Sequence, residues 1–444
     1  MITDIMHDRR IALADCNNFF VSCERRVSPS LDDKPVVVLS CNDGCVISRS
    51  NEVKKLGVAM GAPYFKIKDL LLYNNVVVRS TNMPLYQEIS AAVMKRIALY
   101  TDTVEIYSID ESFFNIAISS VKAPDEYCAG IRKDIWKNCR IPVSIGIAPT
   151  KTLAKLGTEY AKTHPETRGV CWVDAQRYGD SSFMSQFSCR DIWGIGRKTA
   201  EKLRLYRVND ASQFMRLDDM WIKKNFGITS MYCAWELRGH QAYSLNSERR
   251  PPKSIMVSRS FGEAITTFED MLDPLLCFTV SAARQLRKSG QGAYKISVSI
   301  STSKFTLGEH YSNVKEITFS DPKTLDSDFI AATRKALSDI FLPGYLYKKC
   351  GVILSNFSDT KEGVQQSLFE EADEERKLAA MKAVDSVNKE GTASLLKPAA
   401  LFSPPDTERK WAPKSEFRSD KSKKESPLPD GLRFQSHAED CLEG

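Results

Sequence analysis

The sequence predicts an α+β protein with several domains, and three observations support this prediction. Its 444 residues suffice for about three domains of ordinary size. Up to about residue 175, short apolar runs typical of strands are mixed with amphipathic helical patterns, and short helices follow. A polar segment with a Pro-Pro step, residues 246–254, then precedes a second mixture of strands and helices.

The order of elements follows from apolar spacing and from turn residues. Strands are predicted at residues 10–15, 34–39, 45–47, 103–109, 141–147, 294–300 and 351–354. Helices are predicted at residues 51–56, 85–99, 127–139, 150–161 and 197–205. The first of these helices stops at Gly57, a residue type suited to the position after a helix end. From residue 398 onward Pro, Ser and Lys accumulate, which predicts a partly disordered C-terminal tail.

Composition indicates a globular protein, with 42% hydrophobic and 27% charged residues. No run approaches the roughly 18 apolar residues that span a bilayer. The first ten residues carry Asp4 and Asp8 and lack the apolar segment of a signal peptide. Twelve cysteines are scattered without a C-x-x-C pair, so we expect reduced thiols rather than a zinc site. The sequence therefore predicts a cytoplasmic protein without a membrane segment.

Charge is unevenly distributed along the chain. Residues 359–444 carry 14 Lys/Arg and 18 Asp/Glu, a net charge of −4. Because the whole chain carries +6, residues 1–358 carry +10. A basic body suits a polyanionic partner, although a solvated surface rich in lysine explains the excess equally well.

Three carboxylates stand at or beside the ends of apolar β-runs. Asp15 ends the first run, and Asp110 and Glu111 are adjacent further along the chain. Buried carboxylates need cations, and an all-oxygen set suits Mg²⁺ better than zinc. Such a set can hold two Mg²⁺ ions for phosphoryl transfer. Because neighbouring strand residues point to opposite faces, Asp110 and Glu111 can converge only at a turn or bulge. An exposed turn with two acids is the alternative.

Longer motifs occur in the order found in a known family. They are Asp15-x-Asn-x-Phe-Phe20, Val46-Ile-x-Arg-x-Asn-Glu52, Lys55-Leu-Gly-Val58, Tyr107-Ser-Ile-Asp-Glu111, Val143-Ser-Ile-Gly-Ile-Ala-x-Thr-Lys-Thr-Leu-Ala-Lys155, Asp191-Ile-Trp-Gly-Ile-Gly-Arg197, Glu236-Leu-Arg-Gly239 and Ser258-Arg-Ser-Phe-Gly262. Over about residues 10–370 the chain resembles Y-family translesion DNA polymerases, closest to the UmuC type, the catalytic subunit of bacterial DNA polymerase V. The resemblance implies template-directed, error-prone DNA synthesis past damaged bases in the bacterial SOS response.

The resemblance also implies a right-hand polymerase fold. Its parts are a palm at residues 10–20 and 84–175, fingers at 21–83, a helical thumb with a helix-hairpin-helix at 176–245, an α/β little finger at 246–358 and a tail at 359–444. The family's catalytic metal carboxylates match Asp15, Asp110 and Glu111, and the Cys16 carbonyl matches a further ligand of the two Mg²⁺ ions. Phe20 matches the steric gate, a ring that leaves no room for a ribose 2′-OH. A core phenylalanine beside Phe19 is the alternative reading of Phe20.

Charged residues and glycines supply the remaining implied contacts. Arg49, Lys54 and Lys162 match positions near the triphosphate of the incoming nucleotide, where cations stabilise the leaving pyrophosphate. Asn51 replaces a tyrosine common in the family, and Lys54 replaces a frequent arginine. Residues predicted to contact DNA are Gly194 and Gly196 at a helix start, together with Arg259 and Lys295 on strands of the little finger. A structural turn explains the two glycines equally well.

The tail carries a candidate docking peptide, Gln365-Gln-Ser-Leu368-Phe369, which resembles the Q-x-x-L-F motif that binds the sliding clamp. The family implies damaged primer-template DNA and deoxynucleoside triphosphates as substrates, and the clamp, a UmuD-like dimer and RecA as partners. A catalytically silent DNA-binding scaffold that recruits the clamp is one alternative, against which the three carboxylates argue. A palm-fold nucleotidyl cyclase is another, and it would need neither a thumb nor a clamp motif.

Overall fold

The computed structural model describes residues 9–117, 123–246, 252–303, 309–359, 371–390 and 416–419. The chain forms two compact units, one of Met1–Arg249 with Glu416–Gly444 and one of Arg250–Ser415. The boundary falls inside the polar segment that was predicted to separate two domains. None of the described helices is long and apolar enough to cross a bilayer. The mixture of helices and sheets confirms the predicted α+β class.

Eight strands of the first unit build two sheets. They are β1 (Arg9–Cys16), β2 (Val36–Leu39), β3 (Val46–Arg49), β4 (Val77–Ser80), β5 (Val104–Ile106), β6 (Glu111–Ala117), β7 (Val143–Ala148) and β8 (Val170–Trp172). The larger sheet has the order β5-β6-β1-β7-β8, and the smaller has the order β3-β2-β4. Strand β1 is central and pairs antiparallel with both β6 and β7.

Twelve α-helices lie in the described residues of this unit. They are α1 (Phe19–Val27), α2 (Asn51–Lys55), α3 (Tyr64–Tyr73), α4 (Met83–Ile97), α5 (Pro124–Cys139), α6 (Lys151–Thr163), α7 (Ala175–Gly179), α8 (Ser181–Met184), α9 (Arg197–Leu205), α10 (Ala211–Phe214), α11 (Asp219–Phe226) and α12 (Ile228–Leu237). The bounds of α9 coincide with the prediction. The strand predicted at residues 103–109 is wrong in its second half, because β5 ends at Ile106 and a turn precedes β6.

Both faces of the larger sheet are buried, and β1 contributes to each. Ala12 and Ala14 pack in the core formed with α4 and α5. Ile11 and Leu13 pack in the core formed with α6 and the later helices. Since side chains alternate along a strand, Asp15 belongs to the face covered by α6.

Helix α6 lies unusually close to the sheet because Gly146 of β7 has no side chain. A Cβ at Gly146 would lie 2.1 Å from the carbonyl oxygen of Ala154 and 2.4 Å from the nitrogen of Thr158. The Thr158 hydroxyl donates to the Leu13 carbonyl at 3.2 Å, which ties the helix to β1. The backbone of α6 therefore rests directly on the strands.

A buried glutamate of α12 ties the first turn of α6 to the later helices of this unit. Glu236 has no exposed surface. Its Oε2 accepts the N–H of Thr152 at 2.9 Å, and its Oε1 accepts the N–H groups of Ala242 and Tyr243 at 2.8 and 3.1 Å. These three charge-assisted hydrogen bonds compensate the desolvation of the carboxylate.

The second unit is a four-stranded antiparallel sheet with helices on one face. Its elements are β9 (Ser254–Ile265), α13 (Phe268–Lys288), β10 (Gln291–Thr302), β11 (Ser312–Lys323), α14 (Asp326–Ile340), β12 (Tyr347–Asp359) and α15 (Glu371–Glu390). The strand order is β11-β10-β12-β9. Helices α13 and α14 form the core with the sheet. Arg287 joins α15 to this core through Asp385 at 2.9 Å and Asp326 at 2.6 Å.

We predict that Gly146→Ala lowers the free energy of unfolding by about 2 kcal/mol or more, because the new methyl group overlaps the backbone of α6. Gly130→Ala is the matched control, since Gly130 lies in α5 with open space around it. Alanine favours a helix interior over glycine, so the control should gain about 0.5–1 kcal/mol. Urea denaturation measures both changes. Equal stability of the two variants would contradict the close packing of α6.

Candidate active site

Two of the predicted carboxylates face each other across neighbouring strands. Asp15 on β1 is the direct antiparallel partner of Glu111 on β6. Directly opposed residues of an antiparallel pair project from the same face of the sheet. Asp15 is buried, at 8% exposure, and the Glu111 side chain is 16% exposed. The strand register therefore brings two acids together on the face covered by α6.

Lysines of α6 neutralise a row of acids on three adjacent strands. Lys162 bonds Asp15 at 2.7 Å. Lys155 bonds both oxygens of Glu111, at 2.8 and 3.0 Å. One helical turn earlier, Lys151 bonds Glu105 of β5 at 2.6 Å. We call Lys151, Lys155 and Lys162 the lysine row.

The electrostatics of this row are set by burial. Burial, reinforced by the Glu111 carboxylate and opposed by Lys162, raises the pKa of Asp15 to about 7. Burial lowers the pKa of Lys162, but the carboxylates of Asp15 and Glu159 outweigh this effect and raise the pKa above its ordinary value. The Asp15 anion therefore depends on a neighbouring cation for its stability.

Asp110 lies in the turn just before β6, where Ser108 holds it. The Ser108 hydroxyl donates to Asp110 Oδ1 at 2.6 Å and accepts the N–H of Glu111 at 3.0 Å. The N–H of Cys16 donates to the Asp110 carbonyl at 2.9 Å, which ties this turn to the end of β1. The predicted requirement for a turn between the two adjacent acids is therefore met.

The predicted three-carboxylate set is only partly assembled. Within the described part of the chain, no three Asp, Glu, His or Cys side chains form a group able to hold a metal ion. The structure brings Asp15 and Glu111 together and leaves Asp110 bonded to Ser108. The donors nevertheless suit a hard divalent cation, since they are carboxylate oxygens and Asp15 is buried against a second acid.

The three predicted triphosphate ligands converge near the same place. The pKa of Lys54 is lowered by local desolvation and by the positive charges of Arg49 and Lys162. Arg49 donates to the Val58 carbonyl through Nη1, and its Nε has no hydrogen-bond partner among the described residues. Repulsion among these cations favours an anionic ligand between them.

Phe20 and Phe19 occupy different environments although they are adjacent. Phe19 is buried at 3% exposure, whereas Phe20 is half-buried at the edge of the core. The ring of Phe20 stacks on Tyr86, with centroids 4.7 Å apart and planes at 23°. The Tyr86 hydroxyl donates to buried Glu24 at 2.7 Å. Sequence reasoning missed this support, since nothing in the spacing of Glu24 and Tyr86 signals their contact.

The two predicted DNA-binding glycines differ. Gly194 has a φ of +91°, and a Cβ there would lie 2.7 Å from Cys233 Sγ. The backbone conformation and the packing therefore require glycine at this position without any contact to DNA. Gly196 precedes α9 and has open space around it. Trp193 beside them donates through Nε1 to the Tyr107 hydroxyl at 2.9 Å.

The two predicted basic contacts of the second unit lie on opposite faces of its sheet. Arg259 shares a face with buried Cys350 and Ile300, and its guanidinium lies over the Phe278 ring of α13 at 6.0 Å. Lys295 lies on the open face and bonds Glu316 at 2.9 Å. The structure therefore separates Arg259 from the surface that Lys295 occupies.

Serines recur on that open face, which they share with Met256, Val314, Glu316, Lys349 and Ile353, and the sequence pattern did not reveal them as one surface. Strand register and burial assign to it the serines Ser254, Ser258, Ser260, Ser297, Ser299, Ser301, Ser312 and Ser355. Gly351 lies among them, and a Cβ there would be 2.5 Å from Cβ of Ser258. We call this set the serine face.

The fold is that of a Y-family DNA polymerase. A Y-family DNA polymerase chimera of Dbh and Dpo4 matches with a TM-score of 0.62 at 21% identity, covering 78% of this chain and 98% of that chain.

Sequence comparisons then define the family. The impB/mucB/samB family profile matches residues 14–159, and the profile of its C-terminal domain matches residues 252–368. Protein UmuC of Salmonella typhimurium is 35% identical over 417 residues, covering 92% of this chain and 96% of the relative. Protein SamB of the same species is 35% identical over 389 residues, covering 86% and 91%. DNA polymerase IV of Akkermansia muciniphila is 25% identical over 315 residues, covering 70% and 85%. The chain belongs to the impB/mucB/samB family, the UmuC type of Y-family DNA polymerases.

Family membership confirms the predicted enzyme class and function. The chain is a DNA-directed DNA polymerase of the translesion class, with DNA as its substrate, acting in SOS mutagenesis. Y-family polymerases are nucleotidyltransferases that generally depend on divalent metal ions. The silent-scaffold alternative is therefore wrong.

We predict that Lys151→Met lowers the free energy of unfolding by about 3 kcal/mol, because Lys151 is 4% exposed and its loss leaves Glu105 without its cation. Adding Glu105→Gln should restore part of this stability, since the uncompensated charge is then removed. Lys137→Met, at an exposed position of α5, is the control and should change stability by less than about 0.5 kcal/mol. Chemical denaturation of the wild type, the single variants Lys151→Met and Glu105→Gln, the double variant and the control measures the coupling. Additive losses in the double variant would contradict the ion pair.

Proposed function

We propose that this polymerase extends primers past damaged template bases at the site formed by Asp15, Asp110 and Glu111. The observation that carries the proposal is the register of β1 and β6. It pairs Asp15 with Glu111 on the face of the sheet that α6 covers with its lysine row. The proposed parts of the hand are the palm at 10–20 and 84–175, the fingers at 21–83, the thumb at 176–245, the little finger at 246–358 and the tail at 359–444. The larger sheet supports the palm, the smaller sheet supports the fingers, and helices α7–α12 support the thumb. The start of the second unit at Arg250 supports the start of the little finger, whereas residues 359–415 of the proposed tail belong to that same unit.

Asp15, Asp110, Glu111 and the Cys16 carbonyl would hold two Mg²⁺ ions. When bound, the ions supply charge stabilisation at the attacking and leaving oxygens of nucleotidyl transfer. Ser108 keeps the Asp110 carboxylate oriented in its turn. Lys155 neutralises Glu111, so the sheet can carry closely spaced acids without mutual repulsion.

Arg49, Lys54 and Lys162 would bind the triphosphate of the incoming nucleotide. Lys162 bonds both Asp15 and Glu159, and an ammonium group has three donors, so it can also reach a phosphate oxygen. Arg49 has an unpartnered Nε among the described residues, which leaves a donor for the same ligand. Three cations there would stabilise the charge that develops on the leaving pyrophosphate.

Phe20 would act as the steric gate. One side of its ring is fixed by Tyr86, and its partial exposure distinguishes it from the buried Phe19. A ring held against the sugar excludes a 2′-hydroxyl without touching the base, so it selects the sugar alone.

Duplex DNA would rest on the serine face and at Gly196. Serine hydroxyls and backbone N–H groups contact phosphates without reading sequence. Lys295 lies on this face and supports the proposal, whereas the position of Arg259 gives its predicted contact no support. The first turn of α9 after Gly196 offers N–H groups to a phosphate.

Gln365, Leu368 and Phe369 would bind the sliding clamp, and a UmuD-like dimer and RecA would complete the SOS complex at the bacterial nucleoid in the cytoplasm. The Q-x-x-L-F motif lies outside the described residues, and it precedes α15, which is anchored to the second unit through Arg287 and Asp385. The motif ends two residues before α15, and the anchoring of that helix supports a link between the clamp and the second unit.

We predict that Asp110→Asn reduces primer extension in the presence of Mg²⁺ at least about a hundredfold, because an amide is a poor Mg²⁺ ligand. Primer-template affinity should change little, since the carboxylate does not contact DNA in this proposal. Glu126→Gln, an exposed substitution on α5, is the control and should extend primers normally. Single-turnover extension and fluorescence anisotropy measure the two effects. Extension at the wild-type rate would contradict the metal assignment.

We predict that Phe20→Ala raises ribonucleotide insertion relative to deoxynucleotide insertion by roughly a hundredfold, the equivalent of about 3 kcal/mol. The reason is that the clash penalises only the ribonucleotide. Phe19→Ala is the matched control, because loss of a core ring costs about 3–5 kcal/mol of stability and should reduce insertion of both substrates together. Insertion kinetics and thermal melts distinguish the two variants. An unchanged ratio in Phe20→Ala would mean that Phe20 is a core residue.

We predict that replacing Leu368 and Phe369 with Ala abolishes stimulation by the clamp, because both apolar anchors of the peptide are lost. Extension of short templates without the clamp should remain at the wild-type rate. Gln366→Ala, at a variable position of the motif, is the control and should keep the stimulation. Extension assays with and without the clamp measure both effects, and stimulation that survives the double change would refute the docking role.

A further inference from the structure

A short segment of the predicted tail, residues 416–419, packs on the smaller sheet of the first unit. The N–H of Ser80, the last residue of β4, donates to the Phe417 carbonyl at 3.2 Å. The N–H of Phe417 in turn donates to the Ser80 hydroxyl at 3.0 Å. Strand β4 lies at the edge of its sheet. Sheet edges have unpaired backbone groups that can bind a peptide, and here one of them, the Ser80 N–H, bonds the turn at residues 416–417.

Side chains add to the backbone contacts. The Phe417 ring meets the Tyr64 ring edge-on, with centroids 5.9 Å apart, and packs against the apolar core of the smaller sheet. The N–H of Glu416 donates to Asp43 at 3.1 Å. The Asn82 amide donates to the Ser419 hydroxyl at 3.4 Å. We call Asp43, Tyr64, Ser80 and Asn82 the β4-edge surface.

Buried polar atoms without hydrogen-bond partners are concentrated around this surface. Five of the eleven such atoms in the described residues are Glu24 Oε2, Asp43 Oδ1, Arg79 Nε, Thr81 Oγ1 and Asn82 Oδ1. Of these, Glu24 Oε2 and Arg79 Nε face each other at 3.8 Å as an ion pair, and the other three lack hydrogen-bond partners even with the segment docked. Buried polar groups normally have partners, so this polar region lies beside the segment without being satisfied by it.

The bound segment reaches the support of Phe20. The Ser419 hydroxyl donates to Glu24 Oε1 at 3.4 Å. The Tyr86 hydroxyl donates to the same oxygen at 2.7 Å, and the Tyr86 ring stacks on Phe20. A continuous set of contacts therefore joins residue 419 to the Phe20 ring.

We propose that the β4-edge surface is the docking site of the chain's own segment 416–419, and that this segment positions Phe20 through Glu24 and Tyr86. The positioning part rests on the proposed role of Phe20 as the steric gate. The segment is the occupant because its Phe417 ring packs on Tyr64, the Phe417 N–H and carbonyl both bond Ser80, and the Ser419 hydroxyl bonds Asn82 and Glu24. Undocking removes one of the contacts that hold Glu24 in place, so it lowers the selectivity for the sugar.

Hydrogen–deuterium exchange of the full chain tests the docking. Phe417→Pro removes the ring and the N–H that bonds Ser80, and Phe417→Ala removes the ring alone. Both should increase exchange of the Ser80 amide, whereas Arg418→Ala, at an exposed position of the same segment, should not. A synthetic peptide of residues 412–423 added to Phe417→Pro should restore protection. Unchanged protection at Ser80 in both Phe417 variants, or no rescue by the peptide, would overturn the docking.

Sugar selectivity of the full chain tests the positioning. Phe417→Pro should raise the ratio of ribonucleotide to deoxynucleotide insertion by about fivefold, as for the loss of one hydrogen bond, while Arg418→Ala leaves the ratio unchanged. Phe20→Ala is measured in parallel. If Phe20→Ala changes the ratio and Phe417→Pro does not, the positioning role is overturned. If neither changes it, the gate assignment fails and the positioning role fails with it, while the exchange data still decide the docking.

Discussion

The pairing of the lysine row with acids on three adjacent strands is the interaction on which the first unit depends. Glu105, Glu111 and Asp15 lie on β5, β6 and β1, and one helix supplies all their cations. This arrangement requires α6 to lie against the sheet, which Gly146 permits. It also requires the first turn of α6 to be fixed. Glu236 achieves this by accepting the N–H of Thr152 on α6 and the N–H groups of Ala242 and Tyr243 beyond α12. Packing and charge therefore specify the same position for the helix.

Strand geometry adds a second constraint. Adjacent residues of a regular strand point to opposite faces, so two neighbouring acids can converge only at a turn or a bulge. The turn at residues 107–110 meets this requirement, and Ser108 orders it by bonding both the Asp110 carboxylate and the Glu111 N–H. The antiparallel register then places Glu111 opposite Asp15. An acid pair that would be repulsive in isolation is tolerated because Lys155 and Lys162 are within bonding distance.

Much of the fold and part of the site could be predicted from the sequence. Long motifs and apolar periodicity located β1, α6 and α9, and the acids were recognised because they end apolar runs. The cations bonded to those acids were not predicted as partners, because ion pairs between residues 44 or more positions apart leave no local pattern. Arg259 and Lys295 were chosen for charge and strand placement alone, and their separation onto two faces follows from the pairing of β9 and β10 with β12, which the sequence does not reveal. The Glu24–Tyr86 support joins residues on two helices, so periodicity could not find it.

The serine face also bears on how a polymerase moves along its product. Serine side chains are short, and they recur across the four strands of this sheet. A duplex lying on such a surface would meet similar donors after each advance of one nucleotide, so the energy of contact would vary little with position. Long, rigidly paired side chains would instead create a preferred resting position. If duplex DNA lies on this face, its many short polar side chains would favour a low barrier to translocation.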